Sequence, residues 1–179
     1  MGIFMIRHTS VDVPQGICYG QTDVPVKPSF EEEAEIVKQN LAKHSFEKVY
    51  TSPLSRCTKL ATYCGHPDAQ RDNRLKEMYM GDWEMKMFDE IKDPQIQEWY
   101  NDYLNVPTLN GESYQDLYAR VSSFLSELKL TGKTFGYNKI AIFAHGGVLI
   151  CAQVYAGMLS AENALQKLPA YGEIVRITL

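Results

Sequence analysis

Arg7 and His8 follow one short apolar run, Thr51 and Ser52 a second, and His145, Gly146 and Gly147 a third. One histidine after such a run reads most simply as a hydrogen-bonded structural imidazole. Two of the four histidines at equivalent places point to chemistry, whereas His44 and His66 lack that placement and read as surface residues. Arg56 lies in Ser52-Pro53-Leu54-Ser55-Arg56, where Ser52 suits a helix N-cap and Pro53 the first helical position. Its fork of donors then falls in a first turn already favourable to anions. Gly146 and Gly147 open a further helix and leave an oxyanion room to reach the backbone. The three ends can together enclose one phosphoryl group. A neutral imidazole attacks phosphorus directly, and Arg7 and Arg56 beside it lower its pKa and keep that form available at neutral pH. An acid is also needed. The irregular stretch 75–84 supplies Glu77, Asp82 and Glu84 in an apolar setting that raises a carboxyl pKa, and residue types alone leave all three open.

A scaffold must bring these ends together. Residues 3–6, 48–50, 140–144 and 174–177 are apolar runs of strand length, and their weak alternation suits a sheet covered on both faces. Ser29 with Glu32 makes a capping-box signature before Phe30, Ala34, Val37 and Leu41, which share one helical face. Ser113 opens another helix, in which Tyr114, Leu117, Val121, Phe124, Leu125 and Leu128 form a packing stripe. A third helical stretch, 88–104, carries Trp99, Tyr100 and Tyr103 but is interrupted by Pro94, which predicts a bend or a restart. With no linker, repeat or low-complexity tract, the 179 residues predict a single α/β domain over 1–179. Its expected form is a three-layer sandwich with a mostly parallel central sheet flanked by helices, where sites form at the carboxyl ends of strands.

Composition narrows the partners. Eighteen basic against 22 acidic side chains give a net charge of −4, so there is no global positive field for nucleic acid or an anionic membrane. No apolar stretch approaches the roughly 20 residues that cross a bilayer, and a cytoplasmic protein is expected. Gly2 does not complete a myristoylation signal, because Ile6 stands where Ser or Thr is required. Cys18, Cys57, Cys64 and Cys151 contain no Cys-x-x-Cys pair and read as reduced thiols. Cys64 and His66 beside Pro67 make a poor metal site, so neither metal nor cofactor is expected. The expected partner is a small-molecule phosphomonoester, and a homodimer is left open.

Met5-Ile6-Arg7-His8, then Thr51-Ser52-Pro53-Leu54-Ser55-Arg56-Cys57, then Leu75-Lys76-Glu77 with Gly81-Asp82-Trp83-Glu84, and finally Ala144-His145-Gly146-Gly147 resemble, in order, the signature segments of the histidine phosphatase (phosphoglycerate mutase-like) superfamily. The resemblance implies a phosphoglycerate mutase-like sheet, His8 as the phosphorylated nucleophile, Arg7, Arg56 and His145 as holders of the phosphoryl oxygens, and Glu77 as proton donor. Residues 18–25, 77–84 and 110–113 are similar to the alpha-ribazole phosphatase branch of that superfamily, which serves cobalamin lower-ligand assembly. Small sugar or glycerate phosphates are the alternative substrates, and a weakly catalytic phospho-ligand-binding protein is a second alternative. The chain departs from the family where Thr9 replaces the usual Gly, Ser10 replaces the usual Glu and no Asn follows, which leaves Thr9 or Gln21 to supply one phosphate contact. Ser52 and Gly146 are expected beside the phosphate. The rim segments 17–24 and 78–83 contain no Lys or Arg and offer Tyr19, Gly20, Met78, Tyr79, Met80 and Trp83, an apolar and aromatic surface that suits a flat base.

Overall fold

All four expected strands pair in one five-stranded sheet in a computed structural model that describes residues 1–179. In chain order the elements are β1 (Gly2–Arg7), β2 (Ile17–Cys18), α1 (Phe30–Leu41), β3 (Lys48–Thr51), α2 (Ser55–Tyr63), β4 (Gln70–Arg71), β5 (Lys86–Met87), α3 (Gln95–Asn101), α4 (Tyr114–Phe135), β6 (Lys139–Ala144), α5 (Gly146–Tyr155), α6 (Ala161–Ala164) and β7 (Ile174–Thr178). The sheet runs β4-β3-β6-β1-β7; the first four are parallel and β7 closes the edge antiparallel to β1. Arg7 pairs with Ala144 in the β1–β6 ladder, so the residues that follow, His8 and His145, emerge side by side at the carboxyl edge.

Strand alternation feeds two cores. Ile3, Met5, Ile140 and Ile142 pack on one face with α4 and α5, whereas Phe4, Ile6, Ala141 and Phe143 pack on the other with α1 and α2. Both faces are covered, which is why the runs carry apolar residues at consecutive positions. Each of the larger side chains, Ala141 aside, contributes about 1.5–3 kcal/mol by leaving water, and this holds the strand ends in place. Ser113 and Asp116 form a full capping box on α4, and Gly136 ends that helix at φ 70°. No helix is long and apolar enough to cross a membrane.

Two helix starts differ from expectation. Ser29 precedes α1 but its hydroxyl donates to Glu33 Oε1 at 2.7 Å, and Glu33, not Glu32, is the partner; its other oxygen accepts the Ser10 N–H at 2.8 Å. α2 begins at Ser55 rather than Pro53, with Leu54 extended at ψ 140°. The reason is a cap from outside the helix. Asp23 Oδ1 accepts both the backbone N–H and the hydroxyl of Ser55 at 2.8 Å, while Ser52 Oγ reaches no N–H of the helix itself and accepts that of Leu54, just before it, at 3.3 Å. Arg56 still lies in the first turn. Of the helical stretch expected over 88–104 only α3 forms as α-helix, starting directly after Pro94, while Phe88–Glu90 make a single 3-10 turn.

Candidate active site

His8 is 1 % exposed and His145 fully buried, with their rings edge-on at 5.2 Å. The Thr9 carbonyl lies 2.7 Å from His8 Nδ1. A carbonyl only accepts, so Nδ1 carries the proton and Nε2 keeps a free lone pair, the tautomer an attacking imidazole needs. Burial first, then the Arg56 charge, lowers the His8 pKa to about 3 against the opposing Thr9 bond, with a smaller push from Arg7. His145 is likewise held well below the ordinary histidine range by burial and then Arg56. Its Nδ1 accepts from Arg56 Nε at 3.3 Å and its Nε2–H donates to Ser52 Oγ at 2.8 Å, while Cys57 Sγ sits 3.5 Å from Nε2.

Arg56 is fully buried and donates to the Gly20 carbonyl at 2.7 Å and the Thr22 carbonyl at 2.9 Å, beneath the Tyr19 ring. With the His145 bond this engages three of its five N–H donors and leaves two for a ligand. Arg7 donates to the Pro169 carbonyl and lies 4.1 Å from the Tyr171 ring centre, yet its Nε has no partner. The Thr9 hydroxyl, on a residue with no exposed surface, is also unpartnered. Buried donors left open beside an unprotonated imidazole are suited to the oxygens of an anion such as a phosphoryl group. Gly146 belongs to the same corner, since a Cβ there would come 3.3 Å from Arg7 Nε and overlap Leu168.

Of the three carboxylates left open by sequence, Glu77 lies at the site. Its Oε2 accepts the Gly147 N–H at 3.1 Å at the start of α5, and its Oε1 accepts the Met78 N–H at 2.9 Å. Asp82 faces outward and bonds Asn110 at 2.8 Å. Glu84 is committed to the loop after β2, accepting the Gln21 and Thr22 N–H groups at 2.8 Å, the Met80 N–H at 3.1 Å and the Thr22 hydroxyl. The Gln21 amide donates one N–H to the Glu77 carbonyl at 3.0 Å, and of the two residues offered for the missing phosphate contact Thr9 is the one whose buried hydroxyl has no partner.

A cavity of about 290 Å³ opens from Arg7, Glu77 and Gly147 and is otherwise almost entirely apolar. Tyr19, Gly20, Met78 and Met80 line it as expected. Trp83 does not. It is 1 % exposed, donates its indole N–H to Asp93 at 2.8 Å and packs edge-on against Trp99, because an interior slot with an acceptor satisfies both its ring and its polar tip. Tyr79 points outward, and only its backbone is engaged near the site. The far wall comes from Phe88, Trp99, Tyr103, Ile150, Leu165 and Leu168, none of which sequence reasoning offered for the rim. The only signal among them is the aromatic cluster after Pro94, which holds Trp99 and Tyr103. His8 itself is covered by Tyr171, whose ring centre lies 5.6 Å away and whose hydroxyl meets that of Tyr19 at 3.2 Å across the mouth.

Comparison with known proteins identifies the family. The model of the histidine phosphatase superfamily (branch 1) matches residues 3–178. The adenosylcobalamin/alpha-ribazole phosphatase of Escherichia coli K12 is 28% identical over 157 residues, covering 83% of this chain and 75% of that protein. Phosphoserine phosphatase 1 of Hydrogenobacter thermophilus is 25% identical over 134 residues, 71% of this chain and 64% of that one. The crystal structure of the alpha-ribazole phosphatase from Shigella flexneri superposes with a TM-score of 0.87 at 26% identity, covering all of this chain and 91% of the other. With its phosphoglycerate mutase-like sheet and a family match over nearly its whole length, the chain belongs to the histidine phosphatase superfamily and is a phosphoric monoester hydrolase.

Proposed function

We propose that the protein removes the phosphate from alpha-ribazole 5'-phosphate, or from a cobamide 5'-phosphate, through a phosphohistidine at His8. Nε2 of His8 attacks phosphorus in line, the bond to the ribose oxygen breaks, and Glu77 protonates the departing alkoxide. Glu77, now ionised, then takes a proton from the water that attacks phosphohistidine, and inorganic phosphate leaves with His8 neutral again. Arg7, Arg56 and the Thr9 hydroxyl hold the phosphoryl oxygens, and His145 turns its Nε2–H from Ser52 to one of them.

The observation that carries the substrate is the cavity beyond the phosphate. Arg7 is the only cation lining it, so a second anionic group, such as the carboxylate of glycerate or serine phosphates, finds no partner. An aromatic base finds Tyr19, Phe88 and Trp99. The relatives named for alpha-ribazole support the same reading. The kcat/KM for alpha-ribazole 5'-phosphate is expected to exceed those for 3-phosphoglycerate and phosphoserine by at least about 100-fold, or about 2.7 kcal/mol of transition-state binding. Comparable values reject the substrate and leave the transfer chemistry standing. That chemistry has its own check: rapid quenching with labelled substrate should trap an acid-labile adduct on His8, absent in His8→Ala, and an adduct on His145 overturns it.

A further inference from the structure

We propose that Arg120, with Glu112 as its counter-ion, is a positioning residue for the proton donor Glu77; the proposal rests on the donor role given to Glu77 above. Arg120 lies on α4 and uses all five of its N–H donors on one neighbourhood. Nε and one terminal nitrogen bridge Glu112 Oε1 and Oε2, both at 2.8 Å. The same terminal nitrogen donates to the Glu77 carbonyl at 2.8 Å, and the other donates to the carbonyls of Arg74 at 2.7 Å and Lys76 at 2.6 Å. Glu112 completes the clamp by accepting the Tyr79 N–H at 2.8 Å.

One ion pair thus holds the backbone at residues 74, 76, 77 and 79, on both sides of the acid. The clamped stretch has no ladder of its own, since the helical turn Asn73–Leu75 ends before it and residues 76–80 are irregular. Of the three carbonyls that Arg120 meets, only that of Glu77 has a further side-chain donor, Gln21 Nε2. The Glu77 side chain meanwhile has to keep its carboxyl at the start of α5 facing the leaving group. A donor moved by about 1 Å from a productive geometry loses on the order of 100-fold in rate. Lysine cannot replace the arginine, because a single ammonium centre cannot span a carboxylate and three carbonyls arranged around a planar fork.

The discriminating readout is the leaving group. A misplaced acid penalises esters whose alkoxide needs a proton and spares aryl esters whose phenolate leaves unaided. Arg120→Lys should lower kcat/KM for an alkyl phosphate by about 30-fold and for p-nitrophenyl phosphate by less than about 3-fold. Glu112→Gln should show the same split to a smaller degree, and serves as the test if Arg120→Lys does not fold. In a Glu77→Gln background Arg120→Lys should add little further loss, because there is no acid left to misplace. Equal losses on both esters, or a full additional loss in the Glu77→Gln background, overturn the proposal. If Glu77→Gln itself fails to separate the two esters, the donor assignment falls and takes this proposal with it; if it separates them and Arg120→Lys does not, only the positioning role fails.

Discussion

Gly147→Ala is a one-methyl test of the acid. Gly147 opens α5 and its N–H holds Glu77 Oε2, while a Cβ at that position would overlap Glu77 Oε1 and come 3.0 Å from Leu117 Cδ2 and 3.3 Å from Glu77 Cδ. Restoring ordinary contact requires the carboxylate to retreat by about 1 Å, since Leu117 closes the other side. Alanine is otherwise favoured over glycine in a helix by about 0.5–1 kcal/mol, so the fold should not suffer. A shift of that size predicts about 100-fold lower kcat on an alkyl phosphate, with phosphorylation of His8 by an aryl phosphate nearly unchanged. Single-turnover measurements with the two esters, beside a thermal melt, read both effects. Turnover of the alkyl ester within about threefold of wild type would refute the reasoning, because the methyl cannot fit without moving the acid.

Two further outcomes follow from the burial of His8. With a folded pKa near 3 and an unfolded value of 6.5, the denatured chain binds a proton that the native one refuses, so stability should fall as pH drops below about 6.5. The slope reaches about 1.4 kcal/mol per pH unit for each such histidine, His145 has the same sign, and urea unfolding between pH 7 and pH 4 should show the decline flattened in His8→Asn; an unchanged slope contradicts it. Tyr171→Ala removes the Tyr19 hydroxyl bond and the Arg7 stacking, worth about 1–2 kcal/mol together, and should speed carbethoxylation of His8 by diethyl pyrocarbonate about tenfold. Equal rates in the variant and the wild type would show that something else covers the nucleophile.

The strands and the residues at their ends were legible because both signals are local. A short apolar run predicts a buried strand whatever surrounds it, and Arg7, His8 and His145 stand at fixed offsets from such runs. The alternatives Glu77, Asp82 and Glu84 could not be separated by type, since only their partners differ: a helix start for the first, an asparagine for the second, a loop backbone for the third. Arg120 was invisible for the same reason. An arginine on the polar side of a helix looks alike whether it faces water or five acceptors. Trp83 misled in the opposite direction, because an aromatic residue in an irregular, carboxylate-bearing stretch resembles a rim, and only Asp93, ten residues on, gives its indole an interior partner. β2 and β5 are two residues each, too short for any periodicity to mark.

The in-register pairing of β1 with β6 has an evolutionary consequence. His8 and His145 are held relative to each other by a main-chain ladder, which no single side-chain replacement dissolves. Phe88, Trp99, Tyr103 and Leu168, at the far wall, lie on segments outside that sheet. Mutation can therefore reshape what the cavity accepts while phosphoryl transfer persists, and the two properties are free to diverge at different rates. Relatives at 25–28% identity named for phosphoserine and for alpha-ribazole fit such a history. In a lineage of this kind, selection for a new ester begins at the wall and leaves the strand ends unaltered.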